Sequence, residues 1–178
     1  MEASFGDKHY ELVVACKQGD RQSQFKLYNL YAKAMYNTAL RIVRDEDEAA
    51  DVLQEAFIDA FTRLDGFRQE STFGLWMKQI VVNKSISALR KRKLELQPLE
   101  EGDHIIEDEP EEGDIAFQVE AIKEAINKLP DGYRLVLTLY LLEGYDHEEI
   151  AHILRISEAT SRSQFFRGKR KLLDYLAN

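Results

Sequence analysis

Two clusters of cations, each set beside aromatic or hydroxyl side chains, are the groups in this 178-residue chain whose types and spacing could do chemistry. The first is Lys84 with Arg90, Lys91, Arg92 and Lys93, five cations within ten residues, preceded by Phe67, Phe73 and Trp76. Aromatic rings stack on unpaired bases, while Lys and Arg hold a phosphate backbone. The second is Arg162, Arg167, Lys169, Arg170 and Lys171, interleaved with Thr160, Ser161, Ser163 and Gln164. Polar and Arg side chains near a helix start reach base edges in a major groove, and cations further along suit phosphates. Candidates for bond-making chemistry are poor by comparison. The histidines, His9, His104, His147 and His152, are scattered. His147 and His152 stand five apart rather than the four of a zinc-binding helix pair, and no cysteine joins them. No phosphate-binding loop, dinucleotide fingerprint or nucleophile elbow is present. The residues therefore point to a non-enzymatic binder, with no cofactor and no metal.

The net charge of −8 is the wrong sign for a polyanion binder until its location is considered. Ten acidic residues and no Lys or Arg lie between Glu95 and Asp114, and without those ten the charge becomes +2. DNA responds to local potential, not to the sum over a chain. Cys16 is the single cysteine, which excludes an intrachain disulfide and fits a reducing cytoplasm. The start, MEASFGDKHYELVV, lacks a basic residue followed by an apolar run, so no signal peptide is expected. No stretch approaches the ~18 uncharged apolar residues needed to cross a bilayer.

The elements that must position these groups read as helices. Apolar residues make up 44% of the chain, with only three Pro and nine Gly, which argues against a loop-rich β fold. Phe25, Tyr28, Tyr31, Ala32, Met35, Tyr36, Ala39 and Ile42 recur at three- and four-residue steps. Asp45 offers a cap with Glu48 three residues on, and Ala49, Val52, Leu53, Ala56, Phe57, Ala60, Phe61 and Leu64 continue the stripe. Asp65-Gly66 breaks it, a loop over 67–72 follows, and a further helix runs from Ser71 or Thr72 to Arg92. Residues 94–116 hold few large apolar side chains and dense like charge, the composition of a flexible linker. Helical spacing resumes over 116–128, Pro130 opens a helix running to Leu142, and Glu143-Gly144 closes it. Asp146 and Glu149 form a capping box, Arg155-Ile156-Ser157 a tight turn, and Ser157 caps a longer helix from Glu158. Short helix, turn and longer helix make a helix-turn-helix. An ordinary basic surface helix is the plainer reading of that last element. DNA is favoured because its exposed face is basic and hydroxyl-bearing, with acids only at Glu158 and Asp174. The acidic, Gln-containing face of DEDEAADVLQEAFIDAF is open to two readings, a solvated face or a protein-docking one.

Taken in this order, the segments resemble an alternative sigma factor of bacterial RNA polymerase, of the extracytoplasmic-function (ECF) group. Asp47 to Phe61 resembles the polymerase-docking helix, Phe67 to Arg90 the promoter-melting and −10-reading segment, and Leu129-Pro130, Arg134, Gly144, Glu149, Ile150 and Ala151 the start of the C-terminal domain. ISEATSRSQFFRGKRKLL resembles the −35-reading helix. The resemblance implies an all-α protein of two small helical domains, an N-terminal helical bundle over 8–93 and a C-terminal helix-turn-helix bundle over 117–178, joined by the flexible acidic linker over 94–116. It implies transcription initiation, with docking on the clamp of core RNA polymerase through Asp51, Gln54, Glu55 and Phe57. It places −10 contacts on Phe67, Ser71, Phe73, Asn83, Lys84 and Arg90, with a base flipped from melted DNA captured by the Phe67–Phe73 loop and Trp76 supporting that loop. It places −35 duplex contacts on Thr160, Arg162, Ser163, Gln164, Phe166, Arg167 and Lys169. An inhibitory anti-sigma partner, often membrane-anchored, is implied too, for a cytoplasmic protein that does not itself enter the membrane and joins the nucleoid when active. Arg155 stands where the family usually has a turn glycine, Gln164 where it often has Arg, Ser87 where an acidic residue is frequent, and Asp146 where a Ser cap is frequent. Two other readings fit the residues without the resemblance. One is a dimeric helix-turn-helix activator or repressor, which a monomer bound to core polymerase would exclude. The other is a partner-sequestering interaction module, which failure to shift promoter DNA would favour.

Overall fold

The structure is a computed structural model, and it describes residues 7–94 and 119–177. The linker expected over 94–116 lies, apart from Leu94, outside the described residues. Within them the chain is helical, with no strand, and it falls into two compact units. No helix among the described residues is long and apolar enough to cross a membrane.

The N-terminal unit holds α1 (Tyr10–Lys17), α2 (Arg21–Val43), α3 (Glu46–Thr62) and α4 (Phe73–Leu94), with a 3₁₀ turn at Leu64–Gly66. Local chemistry sets most boundaries. Gly19 turns the chain at φ +86°, which costs glycine nothing, and Asp20 then caps α2 by accepting from the Gln22 and Ser23 amides at 3.3 and 3.1 Å. Asp45 caps α3 by accepting from the Glu48 amide at 2.8 Å, as the sequence predicts. The reciprocal half of that box is missing, because the Glu48 carboxylate is taken by Arg92 at 2.8 Å. Helices α2, α3 and α4 each pack against the other two, over Leu27, Ala39, Ile42, Ala49, Ala56, Met77, Val81 and Val82. Each large aliphatic side chain buried there contributes roughly 1.5–3 kcal/mol. Phe25 departs from the expected stripe and is 66% exposed. It lies two residues from buried Leu27, which places it on the far side of the helix.

The C-terminal unit holds α5 (Val119–Lys128), α6 (Asp131–Leu137), α7 (His147–Leu154) and α8 (Glu158–Ala177). Pro130 immediately precedes α6 with φ −54°, already helical in that angle. Beyond Leu137 the helix widens to a π-turn over Thr138–Leu142 before Gly144 stops it at φ +80°. The core is Ala125, Ile126, Leu129, Leu137 and Leu172. Arg134 is wholly buried within this unit, and its Nε and Nη2 donate to Asp131 Oδ1 at 3.3 and 3.1 Å, the pairing a buried charge requires.

Candidate nucleic-acid and polymerase surfaces

The turn between α7 and α8 shows how the sequence sets the start of α8, the helix expected to read a groove. Asp146 accepts from the Glu149 amide at 2.8 Å, and the Glu149 carboxylate accepts from the Asp146 amide at 2.9 Å, so the capping box is complete. Arg155 takes the left-handed conformation, φ +56°, where a glycine would be at ease. The turn is kept, with the Ile156 amide donating to the Ala151 carbonyl at 3.0 Å. Ser157 Oγ accepts from the Thr160 amide at 3.0 Å and starts α8.

Along α8, Thr160, Arg162 and Phe166 are exposed, while Ser163, Gln164, Arg167 and Lys169 are partly buried. Arg162 is paired with Glu158 one turn earlier. The Ser163 hydroxyl donates back to the Ala159 carbonyl at 3.0 Å. Ser161 does not share the hydroxyl face expected of it. It is fully buried, 2.9 Å from His147 Nδ1. His147 in turn stacks on Tyr140 at 4.8 Å and meets Phe165 edge-on at 5.5 Å. Burial, and then the Arg162 guanidinium, hold its imidazole below the ordinary range. Nothing in the sequence marks this pair, which joins the first turn of α8 to the first residue of α7.

In the N-terminal unit the loop between the 3₁₀ turn and α4 lies over an aromatic floor. Phe67 packs on Trp76 at 5.0 Å and Phe73 at 6.2 Å, and Phe73 on Tyr31 at 5.3 Å. Phe67 and Phe73, on which the resemblance places −10 contacts, are 4% and 0% exposed, so both belong to the interior. Trp76 is partly buried, as expected of a supporting ring. Arg68 and Glu70 are exposed and Ser71 partly so. Along α4, Asn83 and Ser87 are exposed and Arg90 partly buried, recurring at three- and four-residue steps on one face. The cation cluster is only partly available to a ligand. Lys84 Nζ stands 2.8 Å from Asp59 and 3.9 Å from Glu55, and its hydrogen bond holds the Asp59 carboxyl below the usual carboxylate range. Arg92 donates to Glu48 and to the Val43 carbonyl at 2.9 Å.

The acidic face of α3 presents Asp51, Gln54 and Glu55, all exposed. Phe57 does not join them. It is 3% exposed and packs between Tyr28 at 4.8 Å and Phe61 at 5.8 Å, because it lies on the stripe that α3 turns toward α2. Two further side chains touch the loop from outside the segments the sequence singled out. Asp7 accepts from the Phe73 amide at 2.8 Å, and Lys17 donates to the Phe67 carbonyl at 2.9 Å. Their separations from those partners, 66 and 50 residues, leave no signal in a local pattern.

Comparison with known proteins places these surfaces in a family. Residues 27–95 match the model of sigma-70 region 2, and residues 119–172 match that of sigma-70 region 4. The RNA polymerase sigma-H factor of Pseudomonas aeruginosa is 32% identical over 92% of this chain and 91% of its own length. The ECF RNA polymerase sigma-E factors of Haemophilus influenzae and Escherichia coli are each 32% identical over 89% of this chain and over 89% and 88% of their own lengths. In fold, the chain is similar to the sigma factor RpoE of Bartonella quintana, solved with the anti-sigma factor NepR (TM-score 0.57, 24% identity, 85% of this chain and 95% of that one). It is similar also to CnrH, solved with the cytosolic domain of CnrY (TM-score 0.56, 22% identity, 93% and 95%). The chain belongs to the sigma-70 family, in its extracytoplasmic-function group, whose members direct promoter-specific transcription initiation by RNA polymerase.

Proposed function

We propose that this protein reads two promoter elements with separate surfaces while a third grips core RNA polymerase. Residues 117–178 act as the −35 module. The exposed Thr160, Arg162 and Phe166, with Ser163, Gln164, Arg167 and Lys169 beside them, enter the major groove of the duplex. Glu158 must release Arg162 as DNA arrives, and the exchange costs little at an exposed pair. Residues 8–93 act as the −10 module. A base flipped from the melted strand is taken by the loop over 67–72, whose exposed Arg68, Glu70 and partly exposed Ser71 make the contact surface. Phe67 and Phe73 serve it from beneath, as the buried floor that fixes the loop's height. Asn83, Lys84 and Arg90 follow the strand along α4. Asp51, Gln54 and Glu55 dock on the polymerase clamp, and Phe57 holds that helix face in place from inside. Residues 94–116 are the linker that lets the two modules reach separated elements.

The protein acts by binding and not as an enzyme, and it works in the cytoplasm. The solved relatives bound to anti-sigma factors support an anti-sigma partner for this chain as well. The observation that carries the reading is the match of region 2 and region 4 to two separately packed units, each with a polar, cation-bearing helix face. Run-off transcription tests it, using purified core polymerase with and without this chain on fragments of genomic DNA. Discrete new transcripts that depend on the chain, and that Arg167→Ala weakens, are expected. Absence of any chain-dependent transcript would sink the proposal.

A further inference from the structure

The loop over 67–72 does not hold itself. Among the described residues, Arg68 to Ser71 make no main-chain hydrogen bond, and Gln69 sits in the left-handed region at φ +59°. Each end has a local tie, the Phe67 amide donating to the Leu64 carbonyl at 3.0 Å and the Thr72 carbonyl accepting from the Trp76 amide at 3.1 Å, and each is fastened also from the start of the chain. At the far end, Asp7 Oδ2 accepts from the Phe73 amide at 2.8 Å, while its Oδ1 accepts from the His9 amide at 3.0 Å. At the near end, Lys17 Nζ donates to the Phe67 carbonyl at 2.9 Å and lies 5.9 Å from the centre of the Phe67 ring. A third strut stands between them. His9 Nδ1 is 2.8 Å from the Tyr31 hydroxyl, and the Tyr31 ring packs on Phe73 and so closely on Gly74 that a Cβ there would stand 2.9 Å from it.

We propose that Asp7 and Lys17 are positioning residues for −10 recognition, setting the height and spread of the loop that receives the flipped base. The proposal rests on the reading of that loop as the base-receiving element. Asp7 uses the N-cap chemistry that Asp20 and Asp45 use elsewhere, but from another part of the chain, so it ties α4's first turn to the segment before α1 as well as capping it. Lys17 brings a full charge to a backbone carbonyl and therefore makes a stronger tie than a neutral donor would. A loop whose ends are fixed by such ties over a packed aromatic floor holds the exposed Arg68 and Glu70 at its crest at a set height, which suits selection of one base over another.

The test uses holoenzyme, formed from core polymerase and the full chain, and a library of single-stranded DNA decamers randomised at every position. The readouts are the base preferences of the bound pool and the affinity for its consensus. Lys17→Met and Asp7→Ala are expected to flatten the preference at the flipped position and to weaken consensus binding roughly tenfold, the size of one lost charge-assisted hydrogen bond. Lys17→Arg and Asp7→Asn, which keep a donor and an acceptor, should restore both, with core binding and duplex −35 binding unchanged throughout. A purely structural role would lower thermal stability and core binding together and leave the preferences intact. If Lys17→Met fails to bind core normally, Lys17→Gln takes its place, since it keeps a shorter neutral donor. A parallel variant replaces Arg68–Ser71 with Gly-Ser-Gly-Ser. Parental preferences in that variant overturn the loop's assignment itself. Lost preferences there, with parental ones in Lys17→Met and Asp7→Ala, overturn only the positioning role.

Discussion

Substituting Gly168 by Ala sets two effects of opposite sign against each other, and the structure decides between them. Gly168 lies buried on α8 where that helix crosses α6. An added Cβ would stand 3.0 Å from Tyr133 Cβ and 3.1 Å from Leu137 Cδ1. Carbon atoms prefer about 3.5–4.0 Å, so the helices must part by about half an ångström or a side chain must give way. Neither neighbour yields easily. Tyr133 Cβ is fixed to the α6 main chain, and the ring beyond it carries Lys171 at 5.6 Å. Leu137 is wholly buried in the core. Overpacking of this kind costs roughly 1–3 kcal/mol. Against it, Gly→Ala inside a helix returns about 1 kcal/mol. The net expectation is a loss of about 1 kcal/mol, which lowers the melting temperature of a unit this size by about 4–8 °C. Calorimetry of the full chain measures it. Fluorescence of Trp76, the single tryptophan, follows the N-terminal unit and should not move. Gly66→Ala, with nothing within 4 Å of the new Cβ, is the neutral control. A Gly168→Ala protein more stable than the parent by the full helix-propensity gain would refute the close approach of α6 and α8. Because α8 is the proposed groove-reading helix, the same substitution should weaken −35 duplex binding.

Three further expectations concern single groups. Asp146→Ala removes the acceptor for the Glu149 amide and half of the α7 capping box, costing about 1 kcal/mol in denaturant titration, with most of it recovered by Asp146→Ser. Burial, and then Arg162, lower the proton affinity of His147 in the folded unit, so the unfolded chain binds that proton more readily. The unit's stability should therefore be full above pH 6.5, the ordinary imidazole value, and decline as pH falls below it. The difference in melting temperature between parent and His147→Gln, followed from pH 7.5 to 5.5, should narrow on acidification, and a constant difference would count against the assignment. Asp51→Ala combined with Gln54→Ala should lower core-polymerase affinity by at least about tenfold, as measured by fluorescence anisotropy, without lowering the melting temperature, since both side chains are exposed.

The sequence alone determined whatever is written within a few neighbouring residues. Helix periods, the caps at Asp45, Asp146 and Ser157, the Pro130 start and the Gly144 stop all depend on partners three or four positions away, and each stands where its residues predict. Arg155 shows the same from the other side, since the turn keeps its left-handed residue although glycine is absent. The split of charge, with acids gathered between Glu95 and Asp114 and cations toward the end of α4 and along the middle of α8, is likewise a property of order along the chain. Only the tertiary structure decided which of those residues face outward. Phe57, Phe67 and Phe73, expected at contact surfaces, are buried, Ser161 leaves its hydroxyl-bearing face for His147, and Lys84 and Arg92 spend their charge on Asp59 and Glu48. Asp7 and Lys17 find the loop across more than forty intervening residues. A helix period fixes a stripe but not the angle at which neighbouring helices cover it, and a charge finds its partner only once packing has brought distant segments within hydrogen-bond reach.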